Sequence, residues 1–187
     1  TPPYSLWDGK DYKSTALSEQ ERYNWIEFHK WMLKGQWFTP LTRNGNLVLM
    51  ARAEMGYLGH YNKNKVSPFE RFEVGGDGMS GYNIYGIDII AMRGYEDGAL
   101  DPGSNYSRGY NKYTMELRYP LLLKGQTNIY VLGFLEGGNG FTSWKEFSPF
   151  KIKRSAGIGV RLFLPVVGMV GVDWGWGFDP AAGQTKR

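Results

Sequence analysis

Two neighbouring stretches near the end of the chain limit the fold more than anything else in it. In 152–164, IKRSAGIGVRLFL, Ala156, Ile158, Val160, Leu162 and Leu164 alternate with Ser155, Gly157, Gly159 and Arg161. After Pro165 the chain turns into 166–178, VVGMVGVDWGWGF, where Val170, Val172, Trp174, Trp176 and Phe178 alternate with Gly171, Asp173, Gly175 and Gly177. A period of two puts successive side chains on opposite faces of a strand. A soluble sheet turns its apolar face inward and crowds charges onto the outer one. Here the second face is mostly glycine and serine with a single arginine and a single aspartate, and the apolar face ends in tryptophan and phenylalanine. That is the pattern of a transmembrane barrel, with aliphatics toward lipid, aromatics at the interface and small or polar groups on the lumen wall. A soluble, ligand-holding barrel is the competing reading of the same alternation.

The same period recurs upstream. In 47–58, Leu47, Leu49, Ala51, Ala53, Met55 and Tyr57 oppose Arg52 and Glu54. In 112–119, Tyr113, Met115, Leu117 and Tyr119 oppose Lys112, Thr114, Glu116 and Arg118. In 127–137, Ile129, Val131 and Leu135 lie on one face and Leu132, Phe134 and Glu136 on the other. The stretch 22–38, RYNWIEFHKWMLKGQWF, alternates poorly, but its aromatics favour a long strand by side-chain type. Asn44-Gly45 then supplies a hairpin turn within 39–46, 120–126 reads as a turn, and 137–149 reads as a loop. Residues 1–21 are polar and turn-rich, with Ser18 and Glu21 spaced to cap a short helical turn. The whole of 1–187 is thus expected to be all-β: about six antiparallel strands of a transmembrane barrel, with one long inward-folding loop. Six strands in lipid leave two unpaired edges, and each unsatisfied backbone group there costs several kcal/mol. The remaining strands of the barrel are therefore expected before Thr1 and, for at least one, after Arg187.

Composition narrows the chemistry. There is no cysteine among the 187 residues, so thiol nucleophiles, disulfides and Cys-based metal sites are excluded. The net charge of +4 is modest and spread along the chain, and Arg43, Lys63, Lys65, Lys151, Lys153 and Arg154 sit in or next to turns, where any barrel carries charge, which argues against nucleic acid. His29 and His60, the two histidines, lie in different elements with no carboxylate at metal spacing, so no metal site is expected. Ser80, Ser104 and Ser107 lack a G-x-S-x-G context, and Gly75-Gly76-Asp77-Gly78 is not a phosphate-binding glycine pattern. The chain reads as a non-enzyme without cofactor.

The longest connection, 67–111, far exceeds the usual 4–6 residues and holds nine of the 26 glycines. Near its middle lies Met92-Arg93-Gly94-Tyr95. If the loop folds into the lumen, the Arg93 guanidinium leaves bulk water and needs a partner. Glu116 and Glu136 on adjacent polar faces are placed to receive it, and Asp173 is a further lumen contact two strands on. The planar fork of arginine suits two carboxylates better than lysine does. Gly94 permits close passage along the wall, and Tyr95 can pack on it. The plain alternative is a solvated loop charge above a wet, acid-lined lumen.

Several pieces together resemble the BamA (surface-antigen) family of outer-membrane assembly factors, in the C-terminal part of its barrel. They are Thr1-Pro2-Pro3-Tyr4-Ser5, Phe69-Glu70-Arg71-Phe72 before Gly75-Gly76, and Met92-Arg93-Gly94-Tyr95, where Met92 replaces the usual Val or Ile. Glu116 and Glu136 match the family's lumen acids, which engage the loop arginine. Phrases such as GQWFTPL and YNKYTMELRYPL are similar to the Bacteroidetes version. The resemblance implies a sixteen-stranded barrel following periplasmic POTRA domains; those domains and the last strand fall outside this sequence. It implies an insertase that folds and inserts β-barrel clients into the outer membrane of a Gram-negative bacterium. There a weakly paired seam opens laterally and a client strand adds by augmentation. The implied partners are outer-membrane lipid and lipopolysaccharide, unfolded barrel clients and accessory lipoproteins of the assembly complex. Related secretion pores share the loop signature, and a passive diffusion pore would lack its Arg-Gly-Tyr.

Overall fold

The computed structural model describes residues 1–13, 17–79, 86–102, 106–124 and 127–181. Its main body is one antiparallel sheet of six strands. In chain order the strands are β1 (His29–Pro40), β2 (Val48–Gly59), β3 (Arg71–Val74), β4 (Ile87–Ile90), β5 (Gly109–Lys124), β6 (Thr127–Phe141), β7 (Lys153–Leu164) and β8 (Gly168–Gly177). The sheet order is β1-β2-β5-β6-β7-β8, and β3 and β4 form a separate parallel pair inside the long connection. The sheet is open, with β1 and β8 at its edges. Its strands run from 10 to 16 residues, which reaches the roughly 9–11 that a tilted strand needs to cross a bilayer. No helix among the described residues is long and apolar enough to cross one.

Burial is inverted relative to a soluble sheet. Leu135 is 58% exposed while its neighbour Glu136 is 4% exposed. Met115, Leu117, Ile158, Val172, Trp174 and Trp176 stand out from one face, whereas Lys112, Thr114, Glu116 and Ser155 are buried on the other. The long connection is what buries them. It folds back over the polar face and builds a core there from Phe72, Val74, Ile90, Met92 and Leu100, closed against Leu58 of β2 and Tyr110 of β5.

Four boundaries differ from those the sequence predicts. The helical turn expected behind Ser18 is present as α1 (Glu19–Tyr23), but it takes in Arg22 and Tyr23, and the strand expected from 22 starts at His29. The Ser18 hydroxyl accepts the Glu21 amide at 3.2 Å while the Glu21 carboxylate accepts the Ser18 amide at 3.1 Å. That local pair outweighs the strand preference of Tyr23. Trp25 and Glu27 are then used to hold the first residues, against the Tyr4 ring at 5.3 Å and the Ser5 amide at 2.7 Å. β5 runs through Pro120 to Lys124, because a bulge between Pro120 and Leu122 absorbs the missing donor. β6 runs on to Phe141, since Gly138 and Gly140 mark close approach rather than a loop. A Cβ on them would lie 2.9 Å from the Asn111 oxygen and 3.0 Å from the Leu100 oxygen. The 67–111 stretch contains the β3–β4 pair, whose four-residue strands are too short to announce a period.

Candidate functional site

The tip of the long connection is a tight turn braced from below. The Met92 amide donates to the Gly76 carbonyl at 2.9 Å, the Gly76 amide to the Tyr95 carbonyl at 3.1 Å, and the Tyr95 amide to the Met92 carbonyl at 3.3 Å. Met92 is fully buried beneath it. The turn therefore has little freedom, and it aims the Arg93 side chain at the inner faces of β5, β6 and β8.

Arg93 Nη2 lies 2.7 Å from Glu116 Oε1 and 2.7 Å from Glu136 Oε1, and Nη1 lies 3.4 Å from Asp173 Oδ2. The Arg93 backbone amide donates to Glu136 Oε2 at 2.9 Å. The guanidinium also sits over the Phe134 ring, 3.7 Å from its centroid. Burial works against the charge of Arg93, but the Glu136 and Glu116 carboxylates outweigh it and hold the guanidinium above its ordinary pKa. The three acids and the arginine named from the sequence are thus brought to one point.

Each acid also holds a second cation, which the sequence reading did not assign. Glu116 receives Arg118, with Nη2 at 2.6 Å. Glu136 receives Lys112 Nζ at 3.3 Å and the Thr114 hydroxyl at 3.3 Å. Asp173 receives a two-pronged grip from Arg161, at 2.7 and 2.6 Å. The wall by itself balances three carboxylates against three cations, and Arg93 adds the fourth positive charge. Without Arg93 each acid would therefore still hold one cation. A signal existed in the sequence: Lys112, Arg118 and Arg161 share the polar faces of their strands with, or beside, the acids. Register was needed to pair them.

Gly94 and Tyr95 meet the wall one step further on. Gly94 has φ of +88°, and a Cβ there would lie 2.8–2.9 Å from the backbone of Trp176 and Gly177 in β8. Only a residue without a side chain lets the tip lie flat on that strand. The Tyr95 hydroxyl donates to the Arg154 carbonyl at 2.8 Å and accepts the Asp179 amide at 3.3 Å. A further buried acid, Asp101, accepts the Val74 amide at 3.2 Å and the Ser107 hydroxyl. Burial pushes its carboxyl up to about 6 against those hydrogen bonds. At the outer end of the loop Lys30 of β1 holds Glu70, at 2.8 Å, and Asp88. The histidines stay apart: His29 accepts the Trp31 indole N–H, and His60 faces Arg108. Among the described residues no group of three or more metal-ligating side chains forms.

The model of the Omp85 superfamily domain matches residues 17–187. The chain belongs to the Omp85 superfamily. One Omp85 relative, the outer membrane protein assembly factor BamA of Neisseria meningitidis serogroup B, is 35% identical over 94 residues, 46% of this chain and 10% of its own length. The fold is similar to the crystal structure of BamA from Haemophilus ducreyi lacking POTRA domains 1–3. That likeness has a TM-score of 0.61 at 16% identity and covers 84% of this chain and 33% of that one. The chain thus spans about a tenth of the curated relative and a third of the solved one, and the likeness to the latter is one of fold.

Proposed function

We propose that this chain is part of the barrel wall of an outer-membrane protein insertase, seated in the cell outer membrane of a Gram-negative bacterium. It folds and inserts β-barrel clients by lateral opening of a seam and strand augmentation. The observation that carries this reading is the loop tip, Arg93-Gly94-Tyr95, docked on Glu116, Glu136 and Asp173 behind an apolar outward face. The name of the Neisseria relative, an assembly factor, supports the same reading.

In this role the loop braces β5 to β8 from inside, so that opening elsewhere in the barrel does not propagate through this wall. The edges at β1 and β8 pair with the remaining strands of the same barrel, because bare strand edges are not tolerated in lipid. A client strand then adds at a seam outside these six strands, through main-chain hydrogen bonds alone. No covalent step, nucleotide, metal or cofactor enters, so the protein acts without enzyme chemistry and without nucleic acid. Its partners are outer-membrane lipid and lipopolysaccharide, unfolded barrel clients and accessory lipoproteins of an assembly complex.

The test uses the intact protein in liposomes with an added unfolded barrel client, followed as a heat-modifiable, protease-resistant band. Client folding faster than in empty liposomes, and slower again with Arg93→Ala, is expected. Leakage of small solutes without faster client folding would replace the insertase by a secretion or diffusion pore. A protein that stays folded in water without detergent would be a soluble ligand-binding barrel instead.

A further inference from the structure

His60 and Arg108 are the first and last residues of the connection between β2 and β5. They meet across its neck, with Arg108 Nη2 2.6 Å from His60 Nδ1. A guanidinium can only donate, so Nδ1 accepts and the imidazole is neutral, with its proton on Nε2. The Arg108 backbone closes the neck as well. Its carbonyl accepts the Leu58 amide at 2.6 Å, and its amide donates to the Phe141 carbonyl at 2.9 Å. These bonds join the end of β2, the start of β5 and the end of β6. Other cations flanking this neck are held differently: Lys30 has Glu70 and Lys65 has Glu27. No carboxylate among the described residues acts on Arg108, and its Nε is buried without a partner. The neutral ring of His60 is what its side chain holds.

We infer that His60 and Arg108 form an acid-sensitive clasp, which closes the neck of the long connection while His60 is neutral and releases it when His60 takes a proton. Protonation turns the accepting Nδ1 into a donor. The bond to Arg108 is then lost, and two cations face each other. The surrounding groups give no relief. Arg108 before β5, His29 in β1 and Lys63 further along the connection all disfavour a positive charge on His60, and Tyr57 of β2 faces Arg108. Burial acts in the same direction, so His60 is held below its ordinary value of 6.5. A group lowered by folding stabilises the fold above its unfolded value, and that contribution is lost as pH falls. The clasp is therefore closed above about pH 6.5 and weakens below it. Its sign is opposite to that of Asp101, whose carboxyl is raised. The Arg93 contacts pass through neither His60 nor Arg108, so the root of the connection loosens while its tip stays docked. Long connections mark the extracellular side of such barrels. Under the outer-membrane placement proposed above, the clasp thus responds to the pH of the outer medium, and it does so whether or not the protein is an insertase.

Hydrogen exchange of the intact protein in lipid nanodiscs is followed at the Leu58 and Arg108 amides between about pH 8 and about pH 5, the range over which a histidine changes charge. Each rate is divided by the intrinsic rate at that pH. Protection is expected to fall about tenfold toward the acid end, the worth of one hydrogen bond to a charged group. His60→Gln keeps an acceptor for Arg108 and gains no charge, so its protection stays level. His29→Gln keeps the wild-type fall. A level wild type overturns the clasp, and that result needs no variant. A fall that persists in His60→Gln, or that vanishes in His29→Gln alone, overturns it too. The Val74 amide, bonded to Asp101, is expected to gain protection toward low pH. An equal loss at Val74 and Leu58 would be general acid unfolding and would also refute the clasp. Client folding is scored on the same protein in liposomes, so the acid-dependent fall without client folding keeps the clasp and removes the insertase.

Discussion

Truncating Glu136 should destabilise the wall more than truncating Arg93, although the two residues share one ion pair. Arg93→Ala removes two charge-assisted hydrogen bonds of 2.7 Å and the contact with Phe134. Such bonds contribute about 1.5–3 kcal/mol each, but the acids left behind keep Arg118, Lys112 and Arg161, and the cost of desolvating a guanidinium is no longer incurred. The net loss is then about 2 kcal/mol. Glu136→Ala is different. It strips the carboxylate from Lys112, whose side chain is 5% exposed and is left with the Ala91 carbonyl and the field of the Glu54 carboxylate, and it also frees the Arg93 amide and leaves Arg93 Nη2 with Glu116 alone. Leaving a buried charge unpaired costs about 3–5 kcal/mol. The gap of about 2 kcal/mol corresponds to roughly 30-fold in the folding equilibrium. Guanidinium unfolding of the intact protein in bilayers, followed by tryptophan fluorescence, measures both variants. The double variant is expected to lose less than the sum of the two, because the shared bonds are counted twice. If Arg93→Ala proved as costly as Glu136→Ala, the second cations would not be neutralising the wall, and the argument from charge balance would fail.

Gly94→Ala places a methyl against β8 at a φ of +88°, and about 1–3 kcal/mol of docking is expected to be lost, read as faster proteolysis within 86–102. Normal protease resistance would show that the tip does not lie on that strand. Tyr95→Phe keeps the ring and loses the bond to the Arg154 carbonyl, about 1 kcal/mol, so an unchanged exchange rate at the Asp179 amide would count against the contact. Burial pushes the Asp101 carboxyl up to about 6 from 3.8, so the folded loop binds the proton more readily than the unfolded chain; the Asp101 contribution to docking is full below about pH 4 and is lost as pH rises through 6. Loop protection measured across that window is expected to fall in the wild type and stay level in Asp101→Asn, and a level wild type would refute it. Leu135→Arg, on the outward face, is expected to cost about 2–4 kcal/mol in a bilayer, whereas a soluble barrel would accept it.

The two-faced strands were legible because the inverted burial leaves its own mark: glycine, serine and isolated charges where a soluble sheet would carry a charged exterior. Arg93, Glu116, Glu136 and Asp173 were legible for a related reason, since a cation amid mostly uncharged neighbours at the middle of a long loop, and acids on inward faces, call for partners inside the barrel. What escaped the sequence was set by contacts distant along the chain. Gly138 and Gly140 look like loop residues until Asn111 and Leu100 are seen pressed on them. Arg118 and Lys112 look like spare lumen charges until register brings each to its acid. Asp101 carries no pattern at all, because its role depends on meeting Val74, 27 residues upstream. The helix at Glu19–Tyr23 shows the reverse case, a local cap legible from Ser18 and Glu21 whose helix runs two residues into the stretch expected as strand.

The magnitudes also say what holds the loop in place. Five of its side chains, Phe72, Val74, Ile90, Met92 and Leu100, are almost fully buried against each other and against Leu58 and Tyr110. At about 1.5–3 kcal/mol for each large apolar side chain, their burial contributes roughly 7–15 kcal/mol as an upper bound. The Arg93 pairs add about 2 kcal/mol net, after the desolvation of a guanidinium is set against them. Apolar burial therefore supplies most of the affinity of the loop for the wall, and it is non-directional. The arginine supplies position. A slip of the tip by one residue along β6 would put Arg93 opposite Leu135 or Gly137, on the outward row, and away from every acid it now meets. A wall already neutral without the loop accepts the fourth cation at one point alone, between Glu116 and Glu136, and that point fixes where Gly94 and Tyr95 reach β8.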